Sequence, residues 1–250
     1  MLKIKKHVNR VLFLLLFSGL VSFSTYAGPP YVTDDPEPVE YEHWEFYLAS
    51  QSLHEPSSWL VTAPQIEINY GAIPNVQLHV ILPFAVLSQT GNPVQYGYSD
   101  TELGVKYRFV QETENRPQIG TFILVEVPTG NNSKGLGNGH TQTFIPVWMQ
   151  KSFGAWTTYG GGGYWFNPGP GNRDWGFIGW LIQRSFRHDT TLGLELFHFT
   201  PRQPGGGSET RFNFGGIIDF NETHHFLFSL GRAIQGVNLF QSYLAYQLTF

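Results

Sequence analysis

Tyr246-Gln247-Leu248-Thr249-Phe250 closes the chain, and its reading decides the fold. Aromatic and aliphatic side chains alternate there with polar ones up to the carboxyl end. In a strand, successive side chains point to opposite faces, so this segment has one apolar and one polar face. A terminal aromatic on such a strand has no use in a soluble sandwich. It has the form of the carboxy-terminal signal that outer-membrane barrels present to their assembly machinery, so Phe250 is the residue expected to engage that machinery. The expected fold is all-β, a transmembrane antiparallel up-and-down β-barrel.

The other end of the chain agrees. Lys3, Lys5, Lys6 and Arg10 form a basic region, Val11 to Val21 an apolar one, and Ser24-Thr25-Tyr26-Ala27 a small-residue cleavage site. This is the pattern of a secretory signal peptide over 1–27, cleaved after Ala27. The alternative, a single helical anchor, needs a run of about 20 apolar residues, and this run is shorter. The expected organisation is a signal peptide at 1–27, an acidic, proline-rich lead-in at 28–41 that is either periplasmic or lumenal, and a barrel over 42–250. The expected location is the outer membrane of a Gram-negative bacterium.

Composition fits a lipid-facing β-protein. Aromatic residues make up 16% and charged residues 14% of the chain, against about 25% charged in ordinary soluble domains. Alternate strand residues would face lipid, with Trp and Tyr concentrated at the interfaces. Trp44, Trp59, Trp148, Trp156, Trp165, Trp175 and Trp180 are therefore expected mainly as interface anchors; stacking along the lumen is the alternative. The absence of cysteine excludes disulfides, thiolate metal sites and cysteine nucleophiles. Removing 1–27 takes away four of the 15 basic residues and none of the 19 acidic ones, moving the net charge from −4 to −8. So acidic a chain argues against nucleic acid as a partner. The expected surroundings are outer-membrane lipids and lipopolysaccharide, with divalent cations between acidic loops and the anionic lipid.

Alternation bounded by Gly, Pro, Asn and Asp predicts about twelve strands, with ten or fourteen as the alternatives, at about 42–52, 60–70, 75–87, 100–111, 117–127, 142–152, 155–166, 174–186, 189–199, 209–220, 224–233 and 240–250. The connections alternate between short turns and longer Gly/Pro/Asn-rich loops at 53–59, 88–99, 128–141, 167–173, 200–208 and 234–239. This sorting suits a barrel with short periplasmic turns. The 128–141 loop is low in complexity and expected to be mobile. Gly160 to Gly163 is a glycine run in mid-strand, read as room for a neighbouring ring or a bend, with a substrate passage as the alternative.

Charge falls on one face, strand after strand. Ile66, Ile68 and Tyr70 alternate with Gln65, Glu67 and Asn69; Val76, Leu78, Val80 and Leu82 with Gln77 and His79. Leu103, Val105, Tyr107 and Phe109 alternate with Glu102, Lys106 and Arg108. Leu192, Leu194 and Leu196 oppose Glu195, and Phe212, Phe214 and Ile218 oppose Arg211, Asn213 and Asp219. Charge facing lipid at the midplane costs about 2–4 kcal/mol, so the polar face belongs to the lumen. Glu67, His79, Glu102, Lys106, Arg108, Glu195 and Arg211 are the candidate lumen-lining residues, with Glu45, Glu126 and Asp219 adding to the acidic side. They either select and orient a solute or cross-brace the wall as ion pairs. The three strands from 142 to 186 alternate too poorly for a facing to be assigned.

No catalytic, metal or cofactor motif emerges. His224 and His225 are adjacent and point to opposite faces. Neither a His-x-Ser pair nor a Gly-x-Ser-x-Gly elbow is present, and Gly130-Asn-Asn-Ser-Lys-Gly135 is not a phosphate loop.

Thr33-Asp-Asp-Pro-Glu-Pro-Val-Glu-Tyr-Glu-His-Trp-Glu-Phe-Tyr-Leu-Ala-Ser-Gln51 is similar to the start of an outer-membrane family labelled "MetA-pathway of phenol degradation". The resemblance continues through Glu67-Ile-Asn-Tyr-Gly71, Gln77-Leu78, Glu102-Leu-Gly-Val-Lys-Tyr-Arg-Phe109, Val127-Pro-Thr-Gly130 and Gly137-Asn-Gly139. It covers most of the chain after the signal peptide. It implies a barrel transporter associated with aromatic catabolism and brings no catalytic or binding residues with it. The expected role is passage of a small solute, aromatic or otherwise hydrophobic, without chemistry. A lipid-modifying enzyme and a closed structural or surface-interaction barrel are the alternatives.

Overall fold

The computed structural model describes residues 29–187 and 189–250; the expected signal peptide lies outside the described residues. The strands are β1 (Trp44–Glu55), β2 (Ser58–Ile73), β3 (Val76–Gln89), β4 (Gln95–Tyr98), β5 (Thr101–Val110), β6 (Gln118–Val127), β7 (Gln142–Phe153), β8 (Trp156–Phe166), β9 (Trp175–Arg187), β10 (Thr190–Phe199), β11 (Glu209–Asp219), β12 (His224–Gln235) and β13 (Phe240–Thr249). Each pairs antiparallel with its neighbour, and β1 pairs with β13 from Glu45 opposite Thr249 to His54 opposite Phe240. The wall is therefore closed. Short β4 and longer β5 lie one above the other along β3, so thirteen strands fill twelve wall positions. Closure pairs every strand but short β4 on both sides, as a lipid environment requires because it offers no water to unpaired backbone groups.

The terminal aromatic takes part in that closure. Trp44 N donates to Phe250 O at 2.7 Å and Phe250 N to Trp44 O at 3.0 Å, and the Phe250 side chain points outward, 63% exposed. The outer face is apolar in mid-wall, with Leu78, Val105, Ile145, Ile178, Leu194 and Leu244 exposed there. Rings gather at its two ends, such as Trp44, Phe153 and Trp156 at the short-turn end and Trp59, Tyr96 and Phe166 at the other.

Three local expectations change. The first long connection, 53–59, is mostly strand: His54 pairs with Trp59 and Glu55 with Ser58, leaving a two-residue turn. Part of 88–99 is β4. The 128–141 loop is folded rather than loose. The Asp100 carboxylate accepts from Gly130 N at 2.9 Å and Asn138 N at 2.5 Å. A Cβ on Gly137 would overlap that carboxylate, so the spacing of Gly130 and Gly137 suits a loop wrapped around it. Asn131 caps a single 3-10 turn at Asn132–Lys134, ended by Gly135 in the left-handed region. Leu136, 2% exposed, packs with Leu53, Leu60, Ala85, Leu87 and Leu239. The loop therefore lies across the long-loop mouth.

The weakly alternating strands β7 to β9 turn aromatic side chains inward. Phe144, Trp148, Trp165, Trp175 and Phe177 join Phe122, Leu124, Phe197 and Phe199 in one buried cluster. Trp148, Trp165 and Trp175 are thus lumenal, which corrects their reading as interface anchors. Trp165 stacks on Phe144 with centroids 4.9 Å apart and on Trp175 at 5.3 Å. The glycine run makes room on both faces: a Cβ on Gly163 would lie 2.7 Å from the Phe144 ring and one on Gly160 2.5 Å from the Trp180 ring.

Candidate functional site

The segment from Pro29 to Glu40 runs inside the barrel, and the inward polar residues receive it. Ser229 Oγ donates to Pro30 O. Glu195 on β10 accepts from Val32 N at 3.2 Å through one oxygen and from Thr33 N through the other, while Asn213 Nδ2 donates to it at 2.6 Å. Lys106 on β5 donates to Asp34 Oδ1 at 2.9 Å and lies 3.6 Å from Asp35. Arg108 pairs with Glu37, which also accepts from Gln118. Gln77 Oε1 accepts from Val39 N at 2.9 Å. A segment without regular structure must place its backbone groups somewhere, and the wall side chains take that role.

Inward glycines clear the path. A Cβ on Gly179 would overlap Thr33 Oγ1, and one on Gly193 would stand 2.6 Å from the Tyr31 hydroxyl. Both strands need the missing side chain because the segment lies directly against their backbone.

The seven candidate lumen residues separate into groups. Glu67, His79 and Glu102 come together: His79 Nε2 lies 3.0 Å from Glu102 Oε1, His79 Nδ1 2.6 Å from Asn69 Oδ1, and Asn69 Nδ2 donates to Glu67 at 3.0 Å. Lys106, Arg108 and Glu195 hold the segment. Arg211 stands apart toward the long-loop end, bonded to Glu209 and, at 3.1 Å, to Gln241 Oε1. Arg202 shares Glu209 at 3.0 Å. The Arg202 and Arg211 guanidinium carbons lie 5.2 and 5.3 Å from the Phe199 ring centroid, a cation–π roof over the aromatic cluster.

Among the described residues, spaces lie at both ends of the lumen. A cavity of about 370 Å³ at the short-turn end lies between the segment and the wall and includes Glu67 and Lys106 in its lining. A second, of about 240 Å³, is lined by Glu37, Arg108 and Gln118 among others. A third, of about 380 Å³, opens at the long-loop end beside Glu55, Arg202 and Glu209. Between the ends, the aromatic cluster encloses only about 20 Å³, bounded also by Val32 and Asp34.

Sequence reasoning held lumenal rings only as the alternative for the tryptophans and missed the segment's anchors, Tyr31, Thr33, Asp34 and Glu37. A signal for the wall was present. Phe197 and Phe199 share the parity of Glu195, and Phe122 and Leu124 that of Glu126, so an inward charge also places rings inward. Among the described residues no group of three or more His, Asp or Glu is arranged to hold a metal ion.

Solved outer-membrane barrels have this architecture. An outer membrane channel from Pseudomonas putida is similar over 86% of this chain and 98% of its own, with TM-score 0.71 and 18% identity. The KdgM porin is similar over 82% and 99%, with TM-score 0.58 and 11% identity. The translocator domain of the autotransporter NalP from Neisseria meningitidis is similar over 83% and 88%, with TM-score 0.56 and 10% identity. The fold is that of an outer-membrane β-barrel. No protein-family model matches the sequence, and no curated protein does.

Proposed function

We propose that the chain is an outer-membrane channel or transporter for a small solute, aromatic or otherwise hydrophobic, closed in this conformation by its own lead-in segment. One observation carries this reading. Spaces of about 370 and 380 Å³, each with charged residues in its lining, occupy opposite ends of the lumen, separated by a non-covalently seated segment and an aromatic wall. Ion pairs and hydrogen bonds hold the segment, so its displacement would join the two ends. The aromatic cluster would then offer rings for a solute to stack on, and the charged residues would bias its orientation. The role involves binding and release, with no chemistry. The resemblance to the "MetA-pathway of phenol degradation" barrels supports an aromatic solute. Export by the signal peptide, lipid and lipopolysaccharide as surroundings, and assembly through Phe250 belong to the same proposal.

Single-channel conductance in a planar bilayer tests it, comparing residues 28–250 with a chain lacking 29–41. Small or rare steps in the first and larger, sustained steps in the second are expected. Silence in both folded proteins would favour a closed structural barrel. That second reading draws on the packed 128–141 loop across the mouth.

A further inference from the structure

The cavity of about 370 Å³ at the short-turn end has a composition that its neighbours do not balance. Six carboxylates line it, those of Asp34, Asp35, Glu37, Glu40, Glu45 and Glu67; Lys106 is the cation among its lining residues. Arg108 pairs with Glu37, and Lys106 is shared by Asp34 and Asp35. His79 Nδ1 lies 3.7 Å from Glu67 on the wall side, and six carboxylates still outnumber the cationic groups around them. A separate observation concerns the orientation of hydrogen-bonding capacity. Asp34 is 1% exposed and its Oδ1 accepts from Lys106 Nζ and from Asp35 N, yet Oδ2 has no hydrogen-bond partner. A buried carboxylate oxygen without a donor is costly, so Asp34, in the lining of this cavity, has acceptor capacity left over.

The remaining lining selects among cations. Phe122, Ile217 and Leu227 give the cavity an apolar side. The Phe122 ring already has Lys106 Nζ 4.9 Å from its centroid, so this ring attracts positive charge. The carboxylates are spread around the space and do not converge as a metal site. A volume of this size suits a small organic molecule.

We propose that this cavity binds a small organic ammonium ion, its charged head among the Asp34, Glu45 and Glu67 carboxylates and its apolar body against Phe122 and Leu227. Four of the six acidic groups come from the segment and two from the wall, so the bound cation joins the two. The site rests on the channel reading only in that solute must reach the lumen.

Isothermal titration calorimetry on the folded, detergent-purified chain tests this with three probes of one shape: benzylammonium, benzyl alcohol and benzoate. Benzylammonium is expected to bind at least tenfold more tightly than the alcohol, and benzoate not at all. Glu45→Gln and Glu67→Gln, each checked for heat-modifiable migration as a folded barrel, are each expected to weaken the ammonium at least fivefold. Equal affinity for ammonium and alcohol would overturn the proposal. So would unchanged ammonium affinity in the folded Glu45→Gln protein, or binding of magnesium without benzylammonium. Binding without conductance would keep the site and remove the channel; conductance without binding would do the reverse.

Discussion

Gly179 on β9 lies so close to Thr33 of the lumenal segment that a single added carbon would overlap the threonine hydroxyl. The wall and the segment are therefore shaped to each other. Gly179→Val is expected to weaken the segment's seat by about 1–3 kcal/mol through overpacking while leaving the barrel closed. Limited proteolysis of the folded protein should then cut within 29–41, where the parent is protected. Equal protection in both would contradict this packing.

Lys106 supplies the buried cation for Asp34. Lys106→Ala leaves that carboxylate buried and uncompensated, which is expected to cost about 3–5 kcal/mol. The cost falls on the segment, so amide exchange around residues 32–37 should accelerate strongly. Adding Asp34→Ala should recover part of the loss. No recovery in the double variant would mean that the two do not act as a pair.

Glu195 uses both oxygens on the backbone of Val32 and Thr33. Glu195→Gln keeps one acceptor and puts an N–H donor where the other stood. One backbone amide then faces a donor, and about tenfold faster exchange at Val32 or Thr33 is expected. Exchange matching the parent at both amides would argue against this latch.

Asp100 organises the mouth. Asp100→Ala removes the acceptor for Gly130 N and Asn138 N and is expected to free the 128–141 loop without disturbing the barrel. Cleavage within 131–137 by an added protease, with heat-modifiability retained, is the expected result. Resistance equal to the parent's would mean that Leu136 packing suffices.

What was readable in the sequence followed from contrast between faces. β2, β3 and β5 carry charge on one side and aliphatics on the other, so period-two alternation gave both strand and facing. β7 to β9 carry apolar side chains on both sides: Phe144 and Trp148 inward, Ile145 and Val147 outward. The facing signal vanished there because lumen and lipid were both met by apolar side chains. The lead-in has no period at all. Its path is recorded instead in single residues of distant strands, such as Gly179, Gly193 and Glu195, and only three-dimensional structure brings those together. The 128–141 loop looked loose because glycine-rich sequence usually is. Here the glycines admit the Asp100 carboxylate.

The order of assembly follows from the position of the segment's anchors along the chain. The bond from Val32 to Glu195 spans 163 residues and that from Ser229 to Pro30 spans 199. The residues that fill the lumen are synthesised early, yet their docking points on β10 and β12 are among the last strands to emerge. Such distant pairings form late. The segment must be inside before β1 meets β13, or thread in through the short-turn opening afterwards. A barrel trapped with its leader outside would migrate as fully folded and still be a misassembled product.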